Sequence, residues 1–211
     1  MWLKPMLQSI GIVADYWILS DMFSPIEGFL DPIEGYALFM LAEQGPGVGC
    51  ILEIGSFAGR STSYLAYGSK RARREKVVAV DHFLGSPEHR GGDESAFRMN
   101  GCGLYEMFRK NLRLAGVEDW VHTIKAGSEE ACVGWSHPIR LLFIDGDHSA
   151  EASRRDFELW SPWLIPEGLV AFHDIGMFPG VTSYYETLLA QGAVLEILSV
   201  GTLRVVTKTP V

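Results

Sequence analysis

The stretch from Ile51 to Thr62 constrains the fold of this chain more than any other. It reads Ile51-Leu-Glu-Ile-Gly-Ser-Phe-Ala-Gly-Arg-Ser-Thr62, an apolar run with one acid, Glu53, followed by a turn that carries Gly55 and Gly59. An amphipathic stretch opens at the end of this turn. This order predicts a buried strand, a tight glycine turn and the start of a helix. In an open α/β sheet, such a strand end is where a nucleotide-like ligand normally binds.

The spacing of the two glycines excludes two common nucleotide sites. Because three residues separate Gly55 from Gly59, the turn has neither the G-x-G-x-x-G pattern of nicotinamide dinucleotide enzymes nor the phosphate loop G-x-x-x-x-G-K-[ST]. Glu53 is the more informative residue, since a carboxylate near the buried end of a strand needs a cationic or hydrogen-bonding partner. The ammonium group of a bound ligand would serve as that partner.

Apolar runs and amphipathic stretches alternate from Cys50 onward. The runs are continuous, as expected for a parallel sheet that helices cover on both faces, and two late runs meet at Gly201 in a short hairpin connection. We therefore predict an α/β fold, a doubly wound, mostly parallel seven-stranded sheet with an antiparallel C-terminal edge hairpin. The predicted strands are 50–54, 76–81, 120–125, 139–145, 168–173, 194–200 and 202–206, and the helices between them lie near 60–72, 101–115, 128–134, 149–163 and 179–190.

The length and composition predict one domain with a large core. The chain has 211 residues, of which 47% are hydrophobic, and no linker rich in proline, glycine, serine or charge divides it. We predict a single domain over residues 1–211, with an N-terminal helical cap at 1–45 and an α/β core at 46–211. In the cap, Asp31-Pro-Ile-Glu34 has the N-cap acid, the proline and the later glutamate of a helix start. Residues 84–101 form a candidate lid, because a loop of this length in a compact domain usually binds a ligand.

The charge balance and the cysteines narrow the partners and the compartment. A net charge of −8 disfavours binding to a nucleic-acid backbone, which needs a positive surface. The three cysteines lie far apart without a C-x-x-C pair, which favours a reducing compartment over a disulfide framework or a zinc knuckle. The N-terminus lacks a signal-peptide pattern, and no apolar run approaches the ~18 residues of a membrane span. We therefore predict a cytoplasmic protein with no nucleic-acid or membrane partner.

Polar residues follow the second and third predicted strands. Asp81 ends the second strand together with His82 and Phe83. An acid at this position, about 20–30 residues beyond the glycine turn, can accept hydrogen bonds from a ribose diol. A helix-capping aspartate is the alternative. After the third strand, Gly127 precedes Ser128, which can cap the next helix while its hydroxyl and backbone face an adenine.

The fourth and fifth predicted strands end in the densest chemical cluster of the chain. Asp145, Asp147 and His148 follow the fourth strand, and His173 and Asp174 follow the fifth. Because the carboxyl ends of parallel strands meet at one edge of a sheet, we expect the two groups to lie together. Capping of the next helix by Ser149 or Asp147 does not account for His148. A structural histidine that bridges strands is the alternative interpretation of His173.

These residues together resemble the class I S-adenosylmethionine-dependent methyltransferases. The match is to a small bacterial branch whose first strand carries a motif like E-I-G-S-x-x-G-R-S-T and whose fourth strand carries one like F-I-D-G-D-H-S. The resemblance runs from about Ile26 to the C-terminal hairpin, and it implies one methyltransferase domain with S-adenosylmethionine as its cofactor. By this resemblance the cofactor-binding residues are Glu53, Gly55, Ser56, Gly59, Ser61, Thr62, Asp81, His82, Phe83, Gly127, Ser128, Asp145 and His148.

The same resemblance raises the question of a divalent metal ion. Relatives such as the catechol-type and macrolide-sugar O-methyltransferases bind one through an acid after the fourth strand and an acidic or Asp-Asn pair after the fifth. Asp145 matches the first ligand, whereas the pair here is His173 and Asp174. Because magnesium prefers oxygen ligands, a histidine in this pair points to a softer divalent metal. The alternative is that Asp145 touches the cofactor without a metal.

The histidines of the strand-end clusters are the candidate bases. Methyl transfer requires a donor and an acceptor held in line and the removal of a proton from the acceptor. We hypothesise that His148 or His173 accepts or orients this proton, with Asp145 at the boundary between cofactor and acceptor. The resemblance favours the hydroxyl group of a small molecule as the acceptor. Trp17, Phe23 and Phe29 are the candidates for an apolar acceptor wall, with burial in the core as the alternative.

Two other functions stay open at this point. One is an accessory protein of the same fold that binds the cofactor without transferring a methyl group. The other is a nicotinamide-dependent oxidoreductase, which the glycine spacing disfavours. Binding titrations with the two cofactors discriminate between these classes. The sequence also leaves open whether the protein is a homo-oligomer.

Overall fold

The sheet of this protein has seven strands and the predicted mixed topology. The computed structural model describes residues 3–85 and 103–209, with side chains from residue 11 onward. The order of the strands is β3-β2-β1-β4-β5-β7-β6. The first five are parallel, and β7 runs antiparallel to both of its neighbours. The strands are β1 (Cys50–Ile54), β2 (Val77–Val80), β3 (Val121–Ile124), β4 (Ile139–Ile144), β5 (Leu164–Phe172), β6 (Val194–Val200) and β7 (Leu203–Lys208).

The predicted fold class is confirmed, with one refinement at the C-terminal edge. The hairpin folds back so that β7 pairs with β5, and β6 is therefore the outermost strand. At the centre, β1 pairs with β2 on one side and with β4 on the other. The strand order reverses at this point, and in open α/β sheets a ligand crevice forms outside the carboxyl ends of the strands at such a switch.

Helices cover both faces of the sheet, because successive strand residues point to opposite sides. The helices α1–α4 pack on one face, where Ile51 and Phe143 are buried, and α5–α7 pack on the other, where Leu52 and Ile144 are buried. The helices are α1 (Leu3–Phe23), α2 (Pro32–Gln44), α3 (Arg60–Ala72), α4 (Leu104–Leu114), α5 (Ser128–Cys132), α6 (Ala150–Trp160) and α7 (Pro179–Ala190), with 3₁₀ turns at Glu118–Trp120 and Ser161–Trp163.

The start of α2 has the predicted capping box. The Asp31 carboxylate accepts the N–H of Ile33 at 2.9 Å, and the Glu34 carboxylate accepts the N–H of Asp31 at 3.0 Å. The helix then packs against α3, where the Tyr64 ring lies so close to Gly35 that a side chain there would clash. The first two helices thus belong to the same layer as α3. A separate cap at 1–45 remains a proposal about domain organisation.

Three sequence predictions can be compared with the structure only over the described residues. The candidate lid at 84–101 lies outside the described residues, apart from its first two positions. Cys50 and Cys132 are free thiols, and Cys102 lies outside the described residues. Within residues 3–85 and 103–209, no helix is long and apolar enough to cross a membrane.

Candidate active site

A cavity of about 740 Å³ lies at the carboxyl ends of β1, β2, β4 and β5. Eleven of the sequence-predicted site residues line this cavity, namely Gly55, Ser56, Ser61, Asp81, His82, Gly127, Ser128, Asp145, His148, His173 and Asp174. The described lining does not include the other four, which are Glu53, Gly59, Thr62 and Phe83. The residues predicted at the strand ends therefore lie together around the cavity, whereas the other four lie outside its described lining.

The glycine turn after β1 is held tightly by its neighbours. The Gly55 N–H donates to the Val80 carbonyl at 3.0 Å, and the Asp145 N–H donates to the Ile54 carbonyl at 2.9 Å. Gly55 has a φ of 85°, and a side chain at this position would run into the backbone of Asp145. Glycine is thus required here both by the left-handed backbone and by the close approach of the loop after β4.

Glu53 finds its partners within its own turn. The side chain is fully buried, and its Oε2 accepts hydrogen bonds from the hydroxyls of Ser56 and Thr62. Its Oε1 has no hydrogen-bond partner among the described residues. Burial raises the pKa of Glu53 to about 7, although the surrounding hydroxyls lower it. Glu53 and Thr62 therefore stabilise the turn from the side away from the cavity. The hydrogen-bond partners of Glu53 are hydroxyls of the chain itself, whereas a ligand ammonium was expected.

Asp81 joins the end of β2 to the glycine turn. Its Oδ2 accepts the N–H groups of Ser56 at 2.8 Å and Phe57 at 2.9 Å, and its Oδ1 accepts the N–H of Phe83 at 2.6 Å. Two carboxylate oxygens offer about four lone-pair positions, so Asp81 can accept one further hydrogen bond. Asp81 lines the cavity, and a contact with a ribose remains a proposal.

Phe83 and His82 point in different directions. Phe83 has a φ of 56° and is buried against Tyr105 and Phe108, with ring centroids 5.0 and 4.9 Å apart. This backbone turn carries the ring into the core between β2 and α4, so Phe83 does not lie where the adenine contact was expected. His82 lines the cavity, and its Nδ1 accepts the N–H of Leu84 at 3.0 Å.

The loop after β3 brings Gly127 and Ser128 to the cavity, and α6 adds a residue that the sequence patterns did not indicate. The N-cap of α5 is Gly127, and Ser128 is the first helical residue. The Ser128 hydroxyl accepts the indole N–H of Trp160 at 2.8 Å, so the prediction of a capping side chain at Ser128 is wrong. Asp156 on α6 also lines the cavity, is 4% exposed, and has an Oδ1 without a partner in the described parts of the chain.

His173 is clamped between carboxylates. Its Nδ1 lies 2.9 Å from Asp145 Oδ1, and its Nε2 lies 3.1 Å from Glu34 Oε2. Burial alone would lower the pKa of His173, but Asp145, Asp174 and Glu34 outweigh it and raise the pKa to about 12. Both nitrogens therefore carry protons over the ordinary pH range. An imidazolium in this position bridges α2, β4 and β5, and it is not available as a proton acceptor.

His148 also lines the cavity, where it contacts an acid and an aromatic ring. Its Nε2 lies 2.9 Å from Asp174 Oδ2, and its ring stacks on Phe178 with centroids 4.0 Å apart. Burial opposes ionisation of Asp174, but hydrogen bonds with His148 and His173 hold the pKa of this carboxyl below its usual range. Asp174 is thus an anionic partner that fixes the orientation of the His148 ring.

The possible metal ligands in the described residues include His148 in place of the expected His173. Ligand atoms of Asp145, His148 and Asp174 lie within 4.8 Å of one another. His173, which was expected to complete the set, has both nitrogens directed at carboxylate oxygens. Any divalent metal at this edge would therefore be held by two carboxylates and the imidazole of His148.

Arg60 is a further residue that the sequence analysis did not single out. Its guanidinium donates to the carbonyls of Ile26 at 2.6 Å, Leu30 at 3.2 Å and Ser24 at 3.3 Å. These bonds tie the segment before α2 to the start of α3. Its position inside the glycine-turn motif is the sequence signal that could have identified Arg60.

Of the three aromatic residues expected at an acceptor wall, only Phe29 lines the cavity in the described chain. Phe23 is fully buried and packs edge-on against Tyr64, so the core interpretation is correct for this residue. Trp17 lies on the exposed side of α1, beside Tyr16. Phe178, which supports His148, joins Phe29 in the lining.

Solved structures share this fold at low sequence identity. The O-methyltransferase NovP is 20% identical with a TM-score of 0.66, and the match covers 83% of this chain and 79% of that one. An O-methyltransferase from Bacillus cereus, solved in complex with S-adenosylhomocysteine, is 18% identical with a TM-score of 0.60 and coverages of 94% and 91%. TomG from Streptomyces achromogenes, an O-methyltransferase solved with S-adenosylmethionine, is 18% identical with a TM-score of 0.60 and coverages of 94% and 90%. At these identities the likeness concerns the fold alone.

A family model gives the more specific result. The model described as a methyltransferase domain matches residues 52–175. This range begins in β1, ends just beyond β5, and includes both the glycine turn and the strand-end cluster with Asp145 and His148. Since the match spans more than half of the chain, the sequence-based prediction of a methyltransferase is confirmed, and the chain belongs to the methyltransferase-domain family.

Proposed function

We propose that this protein binds S-adenosylmethionine and transfers its methyl group to the hydroxyl of a small molecule. The observation that carries the proposal is the pairing of His148 with Asp174 at the edge of a cavity that also contains the glycine turn. Family membership supports the reaction class. The O-methyltransferases among the structural neighbours support oxygen as the accepting atom.

The cavity suits the proposed cofactor in size and charge. A volume of about 740 Å³ is in the usual range for small-molecule and cofactor sites. Its wall contains Asp81, Asp145 and Asp174, whose negative charge favours a sulfonium cation. The first turn of α3 also borders it at Ser61, and a helix N-terminus attracts a carboxylate such as that of a methionine moiety.

The proposed cofactor contacts follow the order of the strands. Gly55, Ser56 and Ser61 would hold the amino-acid part, and Asp81 with His82 would contact the ribose. Gly127 and Ser128 would lie beside the adenine. Glu53, Gly59 and Thr62 act on the cofactor through the shape of the glycine turn, since they lie behind the cavity wall.

Within this proposal His148 is the catalytic residue for proton transfer. When bound, S-adenosylmethionine supplies an electrophilic methyl group on a sulfonium centre. His148 accepts the proton that the acceptor hydroxyl loses, and Asp174 stabilises the resulting imidazolium. His173 holds Asp145 in place as a permanent cation. Of the two histidines predicted as candidate bases, His148 is therefore the one that we propose.

A divalent metal is the alternative chemistry for the same residues. Asp145, His148 and Asp174 offer two oxygens and one nitrogen within 4.8 Å of one another, which fits a softer divalent cation better than magnesium. Such an ion would bind the acceptor oxygen and lower its pKa. His148 would then be a ligand and not a base, so activity would require metal and would be lost with a chelator.

The acceptor side of the proposed site is apolar. Phe29, Met177 and Phe178 line the cavity, and Phe178 stacks on His148, as expected for a small acceptor with an apolar body. An accessory protein that binds the cofactor without methyl transfer is the competing function. A homo-oligomer remains a prediction, and so does the cytoplasmic location.

The experiment follows conversion of S-adenosylmethionine to S-adenosylhomocysteine with a panel of phenols, catechols and sugar hydroxyls, with and without chelator. His148→Ala should lower turnover by about 10²–10³-fold and leave S-adenosylhomocysteine affinity unchanged. His122→Ala, at an exposed position on β3, is the matched control and should not change turnover. Cofactor binding without turnover on any acceptor would favour the accessory protein, and undiminished turnover of His148→Ala would eliminate the base.

A further inference from the structure

The outward side of α1 is apolar and exposed over the described residues. Leu19 and Phe23 on the inward side are buried in the core beside α2 and α3. A surface helix normally presents charged and polar residues on its outward side, and a helix that is apolar on both sides is normally buried on both. The outward side of α1 is therefore expected to have a partner. We call it the α1 surface, and its members are Val13, Ala14, Trp17, Ile18 and Met22.

The residues of the α1 surface form two rows along the helix. Val13 and Trp17 are four positions apart, and so are the successive members Ala14, Ile18 and Met22. Rows with this spacing are the ridges that interdigitate when two helices pack against each other. Two small exposed residues, Gly11 and Ala14, lie beside the large Trp17 ring, and a Cβ at Gly11 would meet nothing within 4 Å. The surface thus presents both a large side chain and a shallow hollow.

The area of the α1 surface matches what an interface between two chains requires. Trp17, Ile18 and Val13 are 61%, 57% and 56% exposed. With ~200 Å² for a large apolar side chain, the exposed parts amount to roughly 400–500 Å² per copy. A standard interface buries ~800 Å² on each partner, of which a little more than half is apolar. The α1 surface is therefore large enough to supply the apolar part of such an interface.

The charges around α1 favour a second copy of this chain over a membrane. Residues 11–23 contain two aspartates and no lysine or arginine, whereas helices that lie on membranes carry basic residues on their polar side. The net charge of −8 also opposes attraction to an anionic lipid surface. Of the two aspartates, Asp15 is paired with Arg71 at 2.7 Å, so only Asp21 has to be accommodated at the edge of the interface.

We propose that two copies of this chain associate through their α1 surfaces, with the two helices antiparallel across a twofold axis near Ala14. In this arrangement Trp17 of each copy lies opposite Gly11 of the other, so the large side chain meets the hollow. The two Asp21 carboxylates lie at opposite ends of the interface, whereas a parallel pair would bring these like charges together. A twofold dimer in which one patch meets itself is the commonest form of homo-oligomer. The described cavity lining contains no member of the α1 surface, so the interface does not depend on the proposed function.

The test measures the mass of the full chain in solution by light scattering coupled to size-exclusion chromatography. At about 50 µM the wild-type protein should have twice the mass of one chain, since interfaces of this size commonly reach µM affinity or better. Trp17→Glu places a charge at the centre of the α1 surface and should raise the dissociation constant by about 100-fold or more, which gives a monomer. Leu195→Glu is the matched control, because Leu195 on β6 is 62% exposed, and this variant should stay a dimer.

A second variant reports the contact without placing a charge in it. Ala14→Cys puts one thiol of each copy beside the proposed twofold axis, and a bismaleimide with a short spacer should join two chains of this variant. The wild-type protein, with its three natural cysteines, is the control and should stay uncrosslinked. Failure of Ala14→Cys to crosslink in a dimeric sample would overturn the proposed interface.

The remaining outcomes also decide the inference. A wild-type monomer at about 50 µM would overturn it, because an interface of standard size would be populated there. Co-sedimentation of that monomer with phosphatidylglycerol vesicles would assign the α1 surface to a membrane. A dimer that Leu195→Glu dissociates and Trp17→Glu does not would place the interface at the edge strand β6. In each of these cases the proposed methyl transfer would be unaffected, because its cavity lies elsewhere in the chain.

Discussion

Glu34 Oε2 lies 3.1 Å from His173 Nε2, although 139 positions separate the two residues in the chain. Both side chains are buried. The same Glu34 carboxyl accepts hydrogen bonds from the backbone and the hydroxyl of Thr202 in the turn between β6 and β7. The first turn of α2, the tip of β5 and the C-terminal hairpin are thus fixed to one another beside the cavity.

Replacement of Glu34 should therefore cost much more than an ordinary surface change. In Glu34→Gln the buried His173 cation loses one of its carboxylates, and we expect a loss of about 3–5 kcal/mol in the free energy of unfolding. Urea denaturation at pH 6 measures this. The control is Glu186→Gln on an exposed site of α7, which should change stability by less than about 0.5 kcal/mol. A loss below 1 kcal/mol in Glu34→Gln would contradict the role assigned to the contact.

The same pair predicts a pH window of stability. The pKa of Glu34 falls from 4.5 to about 2, because His173 and Thr202 outweigh the burial that would raise it. Its contribution is present above pH 4.5 and is lost as the pH falls toward 2. The pKa of His173 rises from 6.5 to about 12, so its contribution is complete below pH 6.5 and declines as the pH rises toward 12. In Glu34→Gln the free energy of unfolding should fall less steeply as the pH drops below 4.5. A decrease as steep as that of the wild type would count against the prediction.

Glu53 should have the opposite effect on the pH dependence. Its pKa is about 7 in the folded protein and 4.5 ordinarily, so the folded state binds the extra proton and stability falls as the pH rises from 4.5 to 7. Glu53→Gln removes this loss. The difference in the free energy of unfolding between variant and wild type, measured by urea denaturation, should be roughly 3 kcal/mol more favourable to the variant at pH 8 than at pH 4.5. Glu130→Gln, on the exposed surface of α5, should give no such difference. Parallel pH profiles for wild type and Glu53→Gln would refute the prediction.

Arg60 should control the order of the segment before α2. Its guanidinium reaches three carbonyls in that segment, and a lysine ammonium cannot reproduce this planar fork. Arg60→Lys should cost about 1–2 kcal/mol of stability and speed hydrogen exchange in residues 24–30 by about tenfold. Arg154→Lys on the exposed face of α6 is the matched control. Unchanged exchange in residues 24–30 would show that other contacts hold the segment.

The fold was predictable because its signals are local. Continuous apolar runs indicated strands buried on both faces, and the predicted bounds of β1 and α3 agree with the structure. The place of β7 between β5 and β6 was not predictable. A hairpin with the same hydrophobic pattern can add to a sheet through either strand, and the long-range pairing of Ala171 with Val205 decides the order.

The candidate site was predictable where it depends on strand ends. Asp145 and Asp174 follow neighbouring parallel strands, so the topology alone brings them to one edge. Sequence patterns missed contacts that depend on packing between distant elements. The capping-box position of Glu34 concealed its bond to His173, and the turn that buries Phe83 depends on a positive φ that no local pattern marks. Asp156 was hidden among the charges of an amphipathic helix.

Calorimetric titration with S-adenosylhomocysteine, in the presence and absence of a divalent metal, tests most directly whether this cavity is a methyl-donor site. The proposed function predicts saturable binding of one ligand per chain, and no comparable binding of a nicotinamide dinucleotide. Tighter binding with manganese or zinc would assign Asp145, His148 and Asp174 to a metal centre, and equal affinity would favour His148 as the base. Absence of any binding heat or thermal shift with S-adenosylhomocysteine would contradict the assignment of the cavity.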